Sequence, residues 1–155
     1  MAEAGLSWVR IGEFAWSKME PSPGDLQFEW LDEAIEILGS HGLSVVLGTP
    51  TATPPIWVLE KHPDMLAIDK EGRPRKFGSR RHYCFSHQGY REECIRIVTL
   101  MAERYGANPY VGAWQTDNEY ACHDTTHSYS DSARMAFKSW LRFQYAGSGN
   151  DGDIP

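Results

Sequence analysis

Glu119 is the residue of this sequence that is best placed for acid–base chemistry. It follows the apolar run of residues 111–116 and lies between Asn118 and Tyr120. A carboxyl group at the end of a buried strand is partly removed from water, which raises its pKa towards neutrality, as a general acid requires. We therefore expect Glu119 to be a desolvated acid, although a glutamate after a strand is also a common surface residue.

Two further sets of charged residues could take part in such chemistry. Glu13 follows the apolar run of residues 6–11 in the same manner, but it could equally pair with an arginine, and we expect that structural role. Arg80 and Arg81 lie in a segment rich in cations and aromatic rings. The planar fork of an arginine can bind hydroxyl groups or a carboxylate, whereas the alternative is an ion pair at the surface.

Cofactor and metal chemistry has little support in the sequence. Candidate soft ligands are Cys84, Cys122, His123 and His127, of which the two histidines have helical i, i+4 spacing. A loop with two histidines is more often simply polar, so we expect no metal and no cofactor. The cysteines form no CxxC pair and are odd in number, which favours a reducing compartment without disulfides. Neither a glycine-rich phosphate loop nor a Gly-x-Ser-x-Gly nucleophile motif occurs.

Three short strands and three helices are predicted to position these side chains. Residues 6–11 and 43–48 are apolar-rich runs typical of buried strands, and residues 111–116 are a weaker third run. Apolar residues recur at helical spacing in residues 31–38, 94–101 and 133–141. We expect Gly39 and Gly42 to end the first helix, Gly106 to end the second, and Ser130 or Asp131 to cap the third.

This alternation predicts an α/β fold with a parallel sheet, because strands joined by helices form right-handed crossovers. The residues that follow each strand then meet at one rim, where ligands bind in such folds. Residues 49–89 hold five of the nine prolines, and such a long connection is expected to be a functional loop with a turn at residues 69–72. Residues 147–155 are predicted to be a disordered tail.

Length and charge limit the possible functions. With 15 Lys and Arg against 21 Asp and Glu, the net charge is −6, so neither nucleic acid nor an anionic membrane is an expected partner. No run approaches about 20 apolar residues and no export signal is visible at the start, which favours a cytoplasmic location. The 155 residues suffice for one domain but not for a complete eight-stranded barrel of about 250 residues.

Four segments of the sequence resemble the β-galactosidases of glycoside hydrolase family 42. They are residues 9–17 (VRIGEFAWS), 48–55 (GTPTATPP), 77–84 (FGSRRHYC) and 114–120 (WQTDNEY), and they occur in the family's order. The resemblance implies a partial (β/α)8 TIM barrel, with the predicted strands as the second, third and fourth. Residues 1–146 would form this part of the catalytic barrel.

The resemblance also implies an activity and site residues. Family members are retaining enzymes that hydrolyse terminal non-reducing β-D-galactose residues. Glu119 matches their acid/base, Asn118 matches the asparagine that binds the sugar near its 2-hydroxyl group, and Arg80 matches an arginine of the same subsite. The nucleophile is a glutamate near the end of the seventh strand, which has no match here, so we expect the isolated chain to be nearly inactive.

Other properties of the family are only partly matched. Some members bind a structural zinc through four cysteines, one of which corresponds to Cys84. The other three positions are Ser128, Ser130 and Ala133, which cannot replace thiolates, so this zinc is not expected. Members are often trimers, which implies a homotrimeric parent enzyme.

Two alternatives to a β-galactosidase fragment stay open. A carbohydrate-binding remnant without turnover would use the same Arg80 and Asn118 together with the aromatic residues, which number 6 Trp, 7 Tyr and 6 Phe. Another barrel glycosidase, such as a mannanase, would share the Asn–Glu pair but would not need the arginine segment.

Overall fold

The computed structural model describes residues 1–78, 80–122 and 126–145. Its strands are β1 (Trp8–Ile11), β2 (Ser44–Gly48) and β3 (Val111–Gln115). Its α-helices are α1 (Trp16–Met19), α2 (Glu29–Ser40), α3 (Ile56–Lys61), α4 (Gln88–Tyr105) and α5 (Asp131–Tyr145). Short 3-10 turns occupy Ala2–Ala4, Pro50–Ala52 and Pro63–Met65.

The strands form one parallel sheet in the order β1-β2-β3, as the alternating pattern predicts. Trp8 pairs with Ser44 and Ile11 with Leu47, whereas the register of β2 against β3 shifts between Val45 and Val46. Helix α2 connects β1 to β2, and α4 connects β2 to β3. All three strands therefore point their C-terminal ends to the same rim.

The core lies between the sheet and the two connecting helices. Fully buried apolar side chains come from α2, β2 and α4; they include Leu31, Ile35, Val45, Leu47, Ile97 and Met101. Burial of each such side chain contributes roughly 1.5–3 kcal/mol to stability. This packing explains why the helical spacing of residues 31–38 and 94–101 predicts real helices.

The prediction that Gly39 ends the first helix is wrong. Helix α2 includes Gly39 and ends at Ser40, and Gly42, with a φ angle of 76°, lies in the turn beyond. A Cβ atom on Gly39 would lie 2.1 Å from the ring of Tyr110. Gly39 is therefore needed for close packing, a reason that helix-ending rules do not capture.

The segment of residues 49–89 contains more regular structure than an open functional loop. It holds helix α3, two 3-10 turns and the antiparallel bridges Leu66–Tyr83 and Ile68–Pro74. The turn predicted at residues 69–72 is confirmed, since the Gly72 amide donates to the Asp69 carbonyl at 3.0 Å. Pro50, Pro55 and Pro63 lie at the starts of short helical elements within this folded segment.

Helix α5 is present, as predicted, but none of its residues is buried. Phe137 and Trp140, two members of its predicted core face, are 58% and 54% exposed. The expected disordered tail, and the domain boundary placed at residue 146, lie outside the described residues. None of the described helices is both long enough and apolar enough to span a membrane.

Candidate active site

The candidate site is built where the segments after β2 and β3 meet. The Thr49 amide donates to the Gln115 carbonyl at 2.9 Å, and the Asp117 amide donates to Thr49 Oγ1 at 2.7 Å. These bonds extend the β2–β3 pairing beyond the last strand residues. The turn that carries Asn118 and Glu119 is therefore attached directly to the sheet.

Asp117 is the buried centre of this rim. Its Oδ2 accepts hydrogen bonds from Thr51 Oγ1 at 3.0 Å and from the Tyr83 hydroxyl at 3.2 Å. Its Oδ1 lies 3.2 Å from Arg81 Nη2 and accepts from the Asn118 amide at 2.6 Å. Burial and the Asp117 carboxylate raise the pKa of Tyr83, so the phenol stays protonated and donates. One carboxylate thus joins three segments of the chain.

The backbone around this centre takes an unusual conformation. Asp117, Glu119 and Ala121 have φ angles of 55°, 46° and 64°, and Arg81 has a φ of 60°. L-residues other than glycine rarely adopt positive φ, and such conformations persist where surrounding contacts enforce them, often at functional sites. Here the contacts of Asp117 hold the backbone in this conformation.

Glu119 lies on the exposed side of the same turn and contacts Arg80. Arg80 Nη1 donates to Glu119 Oε2 at 3.1 Å, and the guanidinium group lies 5.5 Å from the ring centroid of Phe14. The Glu119 side chain is 58% exposed, so the predicted desolvation is wrong for this structure. Arg80 comes from the 77–84 segment and Phe14 from the segment after β1, and water reaches the exposed part of the Glu119 carboxylate.

Asn118 lies between these two carboxylates and is buried. It is 4% exposed, and its Oδ1 accepts from Gln115 Nε2 at 3.3 Å. Arg80, Asn118 and Glu119, which sequence reasoning selects, therefore lie at one rim. Their neighbours Asp117 and Arg81 fix the positions of these residues. Sequence reasoning about single residues does not reveal this role.

Glu13 takes the structural role that the sequence favours. Its Oε1 accepts from Arg10 Nε at 3.0 Å, and its side chain is 14% exposed against 47% for Arg10. Sequence reasoning about single residues misses Thr51 and Tyr83. Both lie in segments that carry the resemblance, 48–55 and 77–84, and this is the signal that could have found them.

A cleft of about 340 Å³ lies beside the site rather than in it. It is lined by the outer side of α4, including Ile95 and Val98, and by Tyr120 and Asp117. Arg80, Asn118 and Glu119 do not line it. We therefore locate the site from the contacts at the rim and not from the cleft.

The positions that resemble a structural zinc site hold a hydroxyl network instead. Ser130 Oγ donates to Cys84 Sγ at 3.2 Å and Ser128 Oγ donates to Ser130 Oγ at 3.0 Å, while Ala133 contributes only its amide. One thiol and two hydroxyl groups do not fit zinc, which prefers thiolate and imidazole ligands. No cluster of three or more His, Cys, Asp or Glu suited to a metal occurs among the described residues.

Of the other soft ligands considered above, Cys122 and His127 belong to no cluster suited to a metal among the described residues. Cys84, Cys94 and Cys122 form no disulfide bond within the described part of the chain. Burial raises the pKa of Cys94 to about 12, so this thiol stays protonated inside the protein. His123, one of the two histidines with helical spacing, lies outside the described residues.

Comparison with known proteins identifies the family to which this chain belongs. The family model of glycoside hydrolase family 42, described as β-galactosidase, matches residues 1–151. The chain is 60% identical over 145 residues to the β-galactosidase of Thermus thermophilus and 52% identical to that of Halorubrum lacusprofundi. Each match covers 94% of this chain but only 22% and 21% of the relative, so the chain spans about a fifth of their length.

Solved structures show the same relationship. The β-galactosidase of the psychrophilic Marinomonas ef1 superposes with a TM-score of 0.92 at 59% identity, over 94% of this chain and 22% of its own. The Halorubrum lacusprofundi enzyme superposes with a TM-score of 0.90 at 51% identity, again over 94% of this chain and 22% of its own. The parallel sheet with its helices is thus a part of an α/β barrel, which confirms the predicted fold class. The chain belongs to glycoside hydrolase family 42, the family of these β-galactosidases.

Proposed function

We propose that this chain carries the acid/base half of the catalytic site of a retaining β-galactosidase. Glu119 is the acid/base, and Asn118 and Arg80 bind the galactose unit. The observation that carries the proposal is the contact of 3.1 Å between Arg80 and Glu119, next to Asn118 and at the C-terminal end of β3. In α/β barrels this end of the strands is where active sites form.

The proposed chemistry assigns two steps to Glu119. Its protonated carboxyl group donates a proton to the glycosidic oxygen while a second carboxylate, about 5 Å away in retaining enzymes, attacks the anomeric carbon. Glu119 then accepts a proton from the water that hydrolyses the galactosyl-enzyme. The second carboxylate belongs to a later strand of the barrel and lies outside this chain.

The other carboxylates of the rim support the choice of Glu119. Asp117 is 5% exposed and is bound to Arg81, and Glu13 is bound to Arg10. Both act as fixed partners of arginines within the scaffold. Glu119 combines an arginine contact with an open side that a glycosidic oxygen can approach.

A chimaeric enzyme tests the proposal. The part of this chain that aligns with the Thermus thermophilus β-galactosidase replaces the 145 aligned residues of that enzyme, whose own remainder completes the barrel. We expect the chimaera to hydrolyse nitrophenyl β-D-galactoside. Glu119→Ala should lower the rate by about 10²- to 10⁴-fold, because hydrolysis of the galactosyl-enzyme loses its general base. Glu36→Gln, on the exposed side of α2, is the matched control and should leave the rate unchanged.

Rescue by azide separates an acid/base from a structural role. An aryl galactoside with a good leaving group needs little acid assistance, and azide attacks the galactosyl-enzyme without a general base. Azide should therefore raise the turnover of the Glu119→Ala chimaera and give galactosyl azide of retained configuration. Absence of rescue in a folded variant, or full activity of Glu119→Ala without azide, would refute the assignment.

A second candidate, binding of a galactoside without turnover, is supported for the isolated chain by its exposed aromatic residues. Phe14 and Tyr120 are 45% and 63% exposed at the rim, where flat rings can stack on sugars. The 155-residue chain should then release no nitrophenol above the buffer rate. Release by the purified chain would contradict this candidate.

The galactoside preference itself is tested in the chimaera. Parallel assays with nitrophenyl β-D-galactoside and β-D-mannoside compare the proposed substrate with that of a mannanase-like enzyme. We expect the galactoside to be hydrolysed faster. An Arg80→Lys chimaera should lose part of this rate, because an ammonium group lacks the planar fork of arginine.

A further inference from the structure

The side chain of Gln115 connects Arg10 of β1 to Asn118 at the rim. Gln115 is the last residue of β3 and pairs with Gly48 of β2. Arg10 of β1 reaches across β2, and Arg10 Nη1 donates to Gln115 Oε1 at 2.7 Å. A Cβ atom on Gly48 of β2 would lie 2.7 Å from Glu13 Cβ, so no larger residue fits at this position unless the Glu13 segment moves.

The two ends of this contact determine the orientation of the Gln115 amide. Arginine has only N–H donors, so the atom of Gln115 that faces Arg10 has to be the carbonyl oxygen. The other amide atom lies 2.9 Å from the Asp117 carbonyl oxygen, which only accepts, so it has to be nitrogen. Both neighbours require the same orientation, although the two amide atoms look alike.

The orientation of Gln115 determines that of Asn118 in turn. Gln115 Nε2 also lies 3.3 Å from the side-chain amide of Asn118, and a donor at this point requires Asn118 Oδ1 to face it. The Nδ2 group of Asn118 is then turned away from Gln115. The contact with Gln115 therefore uses none of the N–H bonds of this group.

We propose that Gln115, oriented by Arg10, is a positioning residue that fixes the Asn118 amide so that Asn118 donates hydrogen bonds to a hydroxyl oxygen of the sugar. The inference rests on the proposed function, in which Asn118 binds galactose. It adds a direction to that contact and assigns two residues, Arg10 and Gln115, that do not touch the sugar themselves.

We call the contacts from Arg10 through Gln115 to Asn118 the relay. Galactose binding by the full 155-residue chain tests it. The probe is D-galactose, titrated into ¹⁵N-labelled chain and followed by NMR. Gln115→Glu keeps the size of the side chain and its contact with Arg10, but a carboxylate cannot donate to Asn118. We expect the Kd for galactose to rise about tenfold, as for one lost hydrogen bond, and Gln88→Glu on α4 to leave it unchanged.

A double-mutant cycle separates positioning from general destabilisation. If Gln115 acts only through Asn118, then Gln115→Glu should add nothing to the loss caused by Asn118→Ala. A purely structural role would instead multiply the two losses. Arg10→Lys, which keeps a donor for Gln115, should retain more affinity than Arg10→Met, and equal losses would contradict the role of Arg10.

The side-chain amide signal of Asn118 provides a readout without sugar. We expect this signal to shift in Gln115→Glu and to be unchanged in Gln88→Glu. An unchanged signal in Gln115→Glu, or multiplied losses in the cycle, would overturn the relay. If the signal shifts but the wild-type chain binds no galactose, the relay stands and the proposed galactose site of this chain is wrong.

Discussion

Helices α4 and α5 flank the same strand but differ in how they are packed. Helix α4 buries Tyr90, Ile97, Met101 and Tyr105 against the core, whereas α5 buries none of its residues. Both have apolar side chains at helical spacing. The difference therefore does not come from the amphipathic pattern of either helix.

The number of strands beneath each helix explains this difference. Helix α4 connects β2 to β3 and lies over a surface made by both strands, as α2 does over β1 and β2. Helix α5 follows β3, the last strand of the sheet among the described residues, and has no second strand to complete its groove. An amphipathic helix is stabilised mainly by the tertiary surface that receives its apolar face. The same contrast holds at the rim, where Asp117 faces the packed part of the chain and Glu119 faces solvent.

Removal of the Asp117 carboxylate should have the largest effect on the packed region. Asp117→Ala leaves Arg81, whose side chain is 1% exposed, without its counter-charge. Breaking a buried pair in this way costs about 3–5 kcal/mol of unfolding free energy. Urea denaturation followed by tryptophan fluorescence measures the loss.

Asp25→Ala is the matched control for that experiment. Asp25 is exposed and accepts one hydrogen bond from Gln27, so its loss should change stability by no more than about 0.5 kcal/mol. If Asp117→Ala and Asp25→Ala have similar effects, Asp117 is not the centre of the packed region.

A pair of substitutions compares the two helices directly. Ile97→Ala on α4 removes a fully buried side chain and should lower the free energy of unfolding by about 2–5 kcal/mol, through lost burial and a cavity. Phe137→Ala on α5 removes a side chain that is 58% exposed and should change stability by no more than about 0.5 kcal/mol. Equal losses in the two variants would show that α5 is packed in solution.

Much of the fold follows from the sequence, because the first two strands and each long helix have a strong local pattern and one parallel sheet accommodates them together with the weaker third strand. The position of Gly39 within α2 does not follow, since it depends on contact with the Tyr110 ring, which comes from a distant segment. The same limit applies to the site. Strand ends and motifs select Arg80, Asn118 and Glu119, whereas the Asp117 contacts and the Gln115 relay require three segments to be placed in space.

Ser130 joins the packed region to α5 and should have an intermediate effect. Its Oγ accepts from the Ala133 amide at 3.3 Å, which caps α5, and donates to the buried Cys84. Ser130→Ala should lower the free energy of unfolding by about 1 kcal/mol, as for the loss of a helix cap.

A metal chelator should leave the thermal unfolding of the wild-type chain unchanged. A loss of stability in the presence of the chelator would contradict the hydroxyl network.

A pH-dependent contribution is expected from Glu93 on the packed helix. Burial raises the pKa of Glu93, but hydrogen bonds from Lys61 and Arg96 lower it by more. The pKa of Glu93 in the folded chain is therefore below the ordinary value of 4.5. The folded chain then binds this proton less readily than the unfolded chain, so the stabilisation is present above about pH 4.5 and lost as the pH falls through the folded pKa. Glu93→Gln should flatten this part of the stability profile, and an unchanged acid slope would refute the contribution.

Substitution of Glu119 should have the smallest effect on stability, although it lies two residues from Asp117. Its ion pair with Arg80 joins side chains that are 58% and 39% exposed, and pairs of this kind contribute little because water competes for both charges. Glu119→Gln should therefore change the free energy of unfolding by no more than about 0.5 kcal/mol, measured in the same urea titrations. A loss near that of Asp117→Ala would place Glu119 in the packed scaffold and would remove the reason to regard its carboxylate as the group left free for the substrate.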